Sequence, residues 1–190
     1  MSVLTPELRE DAERIKGRYP EGRERSAIMP LLYLVQSVEG RVTREGMREV
    51  SQLLGITTAE VEAVATFYTM LRTAPTGRHL VCVCTNLSCA LRGANELLAA
   101  GREAIGAGPD GLGADGEITI VEEECLGACD AAPLVQVNVA NFDRMDRDRF
   151  VAMLGALARG ERPEPSRGTM PSDFREASRL LAGLGDGSDA

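Results

Sequence analysis

Along residues 5–72 apolar positions recur every three or four residues, and beyond residue 78 the period drops to two. The first is the spacing of helices with one buried face, the second that of strands. Thr5-Pro6 reads as a helix N-cap followed by a proline at the first helical position, with Leu8, Ala12 and Ile15 on one face. Ser26 opens a second helix carrying Leu31, Leu34, Val35 and Val38 and stopping at Gly40, which accommodates Pro30 only in its first turn. Residues 43–54 form a third, with Met47, Val50 and Leu54 inward and Gly55 as C-cap. Thr57 and Glu60 have capping-box spacing for a fourth, whose inward residues are Val61, Val64, Ala65 and Tyr68. The breaker-rich run 73–77 ends this region, so residues 1–76 are expected to form a four-helix bundle.

Downstream the pattern predicts a strand over 79–84 and a helix over 90–100 that packs through Leu91, Ala94, Leu97 and Leu98. Further strands are expected at 117–123 and 133–139, with a short edge at 142–145. Asp146 caps a last helix with Phe150, Met153, Leu154 and Leu157 inward, ending at Gly160. The order β-α-β-β-β-α places residues 77–160 in the α/β class, as a mixed sheet with helices on it. The glycine-rich run 106–116 has neither a Walker lysine nor G-x-G-x-x-G, so it reads as a turn-rich connection and not a phosphate cradle. Pro133 precedes a strand, and its isomer is open at this level. Residues 161–190 are dominated by Pro, Gly, Ser and Asp and read as an extended or disordered tail, within which 172–184 has the pattern of a short amphipathic helix against a partner.

Charge removes one class of function. A helix, a glycine turn and a capped second helix over 50–64 have the look of a helix-turn-helix. Residues 51–71 contain no Lys or Arg, Glu60 and Glu62 fall on the would-be recognition helix, and the chain carries a net charge of −8. Duplex binding needs cations against phosphate, so no nucleic-acid partner is expected. Nor is direct membrane insertion, because no apolar run approaches the ~18 residues of a span. No Ser/His/Asp or Cys/His constellation is present, so the isolated chain is expected to have no catalytic site of its own.

The chemistry lies in the cysteines. Cys84-x4-Cys89 and Cys125-x3-Cys129 are two short-spaced pairs far apart in sequence. Four thiols on two tight loops suit a metal centre that ties two parts of one domain together. Disulfides are disfavoured, because the N-terminus has no secretory pattern and thiols in a reducing compartment more often bind metal. Zinc prefers C-x2-C knuckles or added histidine, whereas an x4 pair occurs in [2Fe–2S] ferredoxins, so spacing favours the cluster without deciding it. Leu126-Gly127-Ala128 lets the backbone fold closely and aim N–H groups at sulfur, and a helix starting just after Cys89 would present its N-terminus to an anionic cluster. Glu122, Glu123, Glu124 and Asp130 are either a solvated strand edge or charges that favour a low reduction potential. Cys82 shares a strand face with Leu80 and Cys84 and reads as a small buried hydrophobe, and His79 reads as a strand-end residue; neither is a ligand. The C-x-x-C spacing of thiol–disulfide exchange is missing.

The stretches ATFYTMLR (65–72), VCVCTNLSCALRGANELL (81–98) and ECLGACDAAPLVQVN (124–138) resemble the family of the [2Fe–2S] E subunit of NADH:quinone oxidoreductase, respiratory complex I. That family also supplies subunits to NAD-reducing hydrogenases and NAD-dependent formate dehydrogenases. The resemblance spans about residues 5–160 and maps the family's ligands onto Cys84, Cys89, Cys125 and Cys129. It implies a thioredoxin-like ferredoxin domain behind a helical bundle and one [2Fe–2S] cluster. It also implies one-electron exchange with a partner subunit that holds FMN and NADH, together with further peripheral-arm subunits. The expected location is cytoplasmic, peripheral on that face of the membrane within a complex. An equivalent diaphorase subunit of a hydrogenase or formate dehydrogenase is the alternative, and a zinc-stabilised interaction module is the alternative of another class.

Overall fold

The computed structural model describes residues 2–185. They fall into two compact units: the chain up to Pro75 together with the segment from Arg175, and Thr76–Phe174.

The first unit is helical. Its helices are α1 (Pro6–Lys16), α2 (Ile28–Glu39), α3 (Arg44–Leu54) and α4 (Thr58–Phe67), with a 3-10 turn at Glu24–Ala27 leading into α2. The ends follow the local chemistry. Thr5 caps α1, Thr43 caps α3, and Thr57 with Glu60 closes a reciprocal capping box on α4, while Gly40 and Gly55 end α2 and α3 in the left-handed conformation. Helix α2 is almost wholly apolar and packs against α1, α3 and α4, burying Leu31, Leu32, Leu34 and Val35. Helix α4 stops at Phe67, so Tyr68 points outward with Phe67, correcting the inward position expected for it.

Three buried polar side chains hold the unit's ends. Glu49 accepts the Val3 and Leu4 N–H groups at 2.7 and 3.1 Å; burial pushes its carboxyl up, but these bonds together with Ser2 and Arg9 hold it below the ordinary range. Gln36 donates to the Met70 carbonyl and the Ser178 hydroxyl, both at 3.1 Å, and accepts the Arg72 N–H at 2.7 Å. Asp11 pairs with Arg14 and with Arg179. The last two ties concern α8 (Phe174–Leu181), which corrects the reading of an extended tail. Ala177, Ser178 and Ala182 are buried within this unit, and Arg18 donates to the carbonyls of Ala182 and Gly183. The small residues allow close approach, and the partner of this amphipathic helix is the chain's own helical unit. The final five residues of the expected tail lie outside the described residues.

The second unit is built on four strands, β1 (His79–Cys84), β2 (Ile118–Glu123), β3 (Val135–Val137) and β4 (Ala140–Phe142), in the order β2-β1-β3-β4. β1 pairs with β2 in parallel from His79↔Ile118 to Cys84↔Glu123, and the other pairings are antiparallel. Between β1 and β2 run the single-turn α5 (Leu87–Ala90) and α6 (Ala94–Ala104), and α7 (Arg147–Ala158) follows β4 behind its Asp146 cap. One sheet face, Val81, Val83, Ile118, Ile120, Val135 and Val137, packs under Leu97, Leu98, Phe150, Leu154 and Leu157. The other carries Leu80, Cys82 and Val121 beneath Phe174. Cys84, expected beside Cys82, instead joins the first cluster as the strand gives way to its loop.

Element bounds depart from the sequence pattern: α2 starts at Ile28 behind a 3-10 turn and is not capped by Ser26, and α6 runs on to Ala104. The chain breaks at Gly93 (φ 90°), so the single expected helix is a short turn containing Cys89 and a separate α6, and Leu91 lies outside the core. The last hairpin turns at Asn138 (φ 54°), a residue that tolerates this region, and so β3 ends and β4 begins earlier than predicted. The Ala132–Pro133 peptide is cis.

The 106–116 connection lies along β2, with the Ile120 N–H on the Gly111 carbonyl at 2.8 Å. Gly111 has φ +83° and a Cβ there would stand 2.1 Å from the Ile120 oxygen. Gly111→Ala therefore combines left-handed strain with a backbone clash and is expected to cost at least about 2 kcal/mol. A fall in the urea midpoint of the metal-free chain checks this; an unchanged midpoint contradicts it.

Candidate metal centre

Parallel pairing of β1 and β2 sends both strands out at the same end of the sheet. Cys84 is the last residue of β1, and Cys89 sits on α5, which follows it directly. Cys125 lies just past the end of β2, and Cys129 opens a 3-10 turn ending at Ala131. The chain then returns into β3, and the Cys84 N–H reaches the Leu134 carbonyl at 3.1 Å. The four predicted residues thus come together from two loops, while His79 begins β1 at the opposite end. There His79 faces Asn138 at 3.3 Å, and burial, then Arg78, hold its ring below the usual histidine range. Cys82 is buried on the other sheet face.

The thiols stand two and two. Cys84 and Cys89 share a hydrogen bond and are each only 2% exposed. Cys125 and Cys129 lie 3.5 Å apart, sulfur to sulfur, and both are exposed. The pairs are close enough for Cys129 to feel Cys84 and for Cys89 to feel Cys129 electrostatically. Burial, then the bond to Cys84, pushes the Cys89 thiol up to about 11, opposed by the Leu134 N–H. Cys125 is held below the usual thiol value by the Gly127 N–H, then by Cys129. The bond with Cys125 in turn raises Cys129, and Ser88 opposes this. Gly127 adopts φ +77°, the turn that aims its N–H back at the Cys125 sulfur, as the Leu-Gly-Ala spacing leads one to expect. Among the described residues no three His, Cys, Asp or Glu side chains surround one ion-sized point. Two thiol pairs supplied with N–H donors are a donor set that would suit a [2Fe–2S] cluster, with Cys84, Cys89, Cys125 and Cys129 as the residues that would hold it. The residues present fit that group.

Sequence reasoning missed what joins the loops. Thr85 donates from its N–H to the Glu123 carbonyl at 3.1 Å and from its hydroxyl to Glu122 at 2.7 Å. The Asn86 side chain accepts the Leu87 N–H at 2.8 Å and donates to Glu124 at 2.9 Å. Glu122 and Glu124 are therefore bonded to the first cysteine loop, and the available signal was Asn86 as the cap of a helix one turn long. Leu87 and Leu91, one helical turn apart beside Cys89, are 70% and 79% exposed. The open cleft of about 500 Å³ lined by Arg44, Met47 and Glu62 belongs to the helical unit and contains none of the thiols.

In the iron-free chain these environments order the thiols by reactivity. Iodoacetamide at mildly alkaline pH is expected to label Cys125 first and Cys89 last, as read by peptide mass mapping. Labelling of Cys89 as fast as Cys125 would contradict this asymmetry.

Known proteins resemble the chain in sequence and in fold. The family model for thioredoxin-like [2Fe-2S] ferredoxins matches residues 12–158. The E subunit of NADH-quinone oxidoreductase from Mycobacterium bovis is 44% identical over 179 residues, 94% of this chain and 70% of that one. NADH-quinone oxidoreductase subunit 2 of Thermus thermophilus is 40% identical over 153 residues, 80% and 84% of the two chains. A chain of an NAD+-reducing [NiFe]-hydrogenase, in the air-oxidized state, superposes with a TM-score of 0.61 at 21% identity. That match covers 70% of this chain but only 23% of the hydrogenase chain, and it bears on the fold alone. With a four-stranded mixed sheet bringing two cysteine pairs to one end, the chain belongs to the thioredoxin-like [2Fe-2S] ferredoxin family.

Proposed function

We propose that this chain is the one-electron carrier subunit of an NADH:quinone oxidoreductase, holding one [2Fe–2S] cluster on Cys84, Cys89, Cys125 and Cys129. The observation that carries this reading is the convergence of two thiol pairs at the shared end of β1 and β2. When bound, such a cluster supplies a one-electron couple that exchanges with the flavin of an NADH-binding partner subunit. The chain's own residues do the rest. Cys84 and Cys89 root one side in the core, Cys125 and Cys129 keep the other open, and the Leu134 and Gly127 N–H groups temper the thiolate charge. Hydride chemistry, FMN and NADH belong to the partner.

The quinone-linked assignment rests on relatives of that name at 37% to 44% identity. The equivalent role in an NAD-reducing hydrogenase has only the 21% likeness behind it and fits less well. The helices before the cluster domain are read as a four-helix bundle. No helix among the described residues is long and apolar enough to cross a membrane. Attachment is therefore assigned to other subunits, on the cytoplasmic face.

The partner is assigned to the exposed side of the cluster site. Leu87 and Leu91 each forgo about 1.5–3 kcal/mol that burial would supply, and they stand side by side next to Cys89. Exposed Glu122 at the end of β2 and Glu124 and Asp130 on the loop that follows face the same side, which suits an apolar socket rimmed by basic side chains.

Dithionite reduction of anaerobically purified protein is expected to give a rhombic spin-one-half EPR signal, lost on substituting Ala at Cys84, Cys89, Cys125 or Cys129. Colourless, EPR-silent protein carrying stoichiometric zinc after iron-replete expression would install the zinc-stabilised module instead. Leu87→Asp with Leu91→Asp is expected to weaken binding to the flavoprotein subunit about tenfold or more in calorimetry. Wild-type affinity in that variant, with iron content as control, would move the interface elsewhere.

A further inference from the structure

The backbone ladder that aligns the two cysteine loops ends early. Beyond the Cys84↔Glu123 register position, the Thr85 N–H on the Glu123 carbonyl continues it. Cys89 and Cys125 both lie past that point, on segments that side chains must hold together. Asn86 stands between them. Its Oδ1 takes the Leu87 N–H and so caps the turn on which Cys89 sits, while its Nδ2 donates to Glu124, the residue before Cys125. The amide orientation follows from the partners, since an N–H needs the oxygen and a carboxylate needs the nitrogen.

We propose that Asn86 is a positioning residue for the cluster site, clasping the two cysteine loops by capping α5 under Cys89 with one end of its amide and holding Glu124 beside Cys125 with the other. The clasp explains why this position carries an amide. Aspartate would cap the turn equally well but could not donate to Glu124, and serine or threonine offers one hydroxyl for two separate partners. It matters most for the outer pair. Cys125 and Cys129 are themselves exposed, and while Leu126 and Ala128 between them reach the core, the side-chain bonds from Asn86 and Ser88 tie this loop to Cys84 and Cys89. Thr85, bonded to Glu122, supports the same junction one residue earlier. The inference rests on the four cysteines being the ligands.

A polarity swap separates the clasp from mere helix capping. Asn86→Asp keeps the cap and sets two carboxylates against each other. Adding Glu124→Gln restores the bond in reverse, with the introduced amide donating to the introduced carboxylate. The measurement is the rate at which cluster-loaded full-length protein loses visible absorbance to excess iron chelator, alongside the urea midpoint of each iron-free form. N86D is expected to lose its cluster about tenfold faster than wild type, and N86D/E124Q to return to within about threefold of it. E124Q alone, which keeps an acceptor oxygen without the charge, is expected to fall between wild type and N86D. The iron-free midpoints are expected to coincide, which a merely structural defect would not allow. Wild-type loss rates in N86D, or a double variant as fast as N86D, would overturn the clasp. Wild-type protein that takes up no iron and sulfide would instead overturn the functional reading on which it rests.

Discussion

Everything in the second unit depends on one pairing: β1 and β2 run parallel, in a register that sets Cys84 opposite Glu123. Parallel neighbours end on the same side of a sheet, so the loops that follow them share one edge; antiparallel neighbours would have sent the cysteine pairs to opposite ends. A parallel pair needs a long crossover, and the chain supplies it as α5, α6 and the glycine-rich return along β2. That return is tight enough for the Gly111 carbonyl to meet the Ile120 N–H. The antiparallel return into β3 then closes the junction, setting the Leu134 carbonyl on the Cys84 N–H and the Leu134 N–H on the Cys89 sulfur.

The thiol environments are unequal, and the inequality has a structural source. Cys84 ends a central strand and Cys89 turns back onto the core, so both are enclosed; Cys125 and Cys129 sit beyond the sheet's edge in a short loop. Enclosure raises the Cys89 thiol, and a single aimed N–H from Gly127 lowers that of Cys125. A redox centre held on these four thiols would be anchored on one side and reachable on the other. The exposed Leu87 and Leu91 and the carboxylates of the facing loop lie on that reachable side.

In the helical unit, buried polar side chains do what apolar packing alone leaves unspecified. Glu49 fixes the entering chain, Gln36 spends its whole amide on the 70–72 segment and Ser178, and Asp11 receives Arg179. Each has a partner far away in sequence, and two of the three hold α8. The amphipathic pattern over 172–184 marks this helix but not its partner, because small residues such as Ala177 and Ser178 contribute little apolar signal and still bury completely when a matching surface is present.

Local chemistry sufficed for the helix caps at Thr5, Thr57 and Asp146, the glycine stops after α2 and α3, the period change near residue 78, and the grouping of four cysteines into two pairs. Each of these is decided within a few residues, by a hydroxyl or carboxylate reaching its own turn or by alternation along a strand. Non-local constraints decided the rest. The break at Gly93 exposes Leu91, the Asn138 turn shortens β3, and the second sheet face covers Cys82 with Phe174. The Asn86–Glu124 bond joins residues whose proximity exists only because two strands lie side by side. The two cysteine pairs could be read from the chain, but their convergence at one end of the sheet needed the pairing of β1 with β2, because strand pairing is a relation between segments that neither encodes alone.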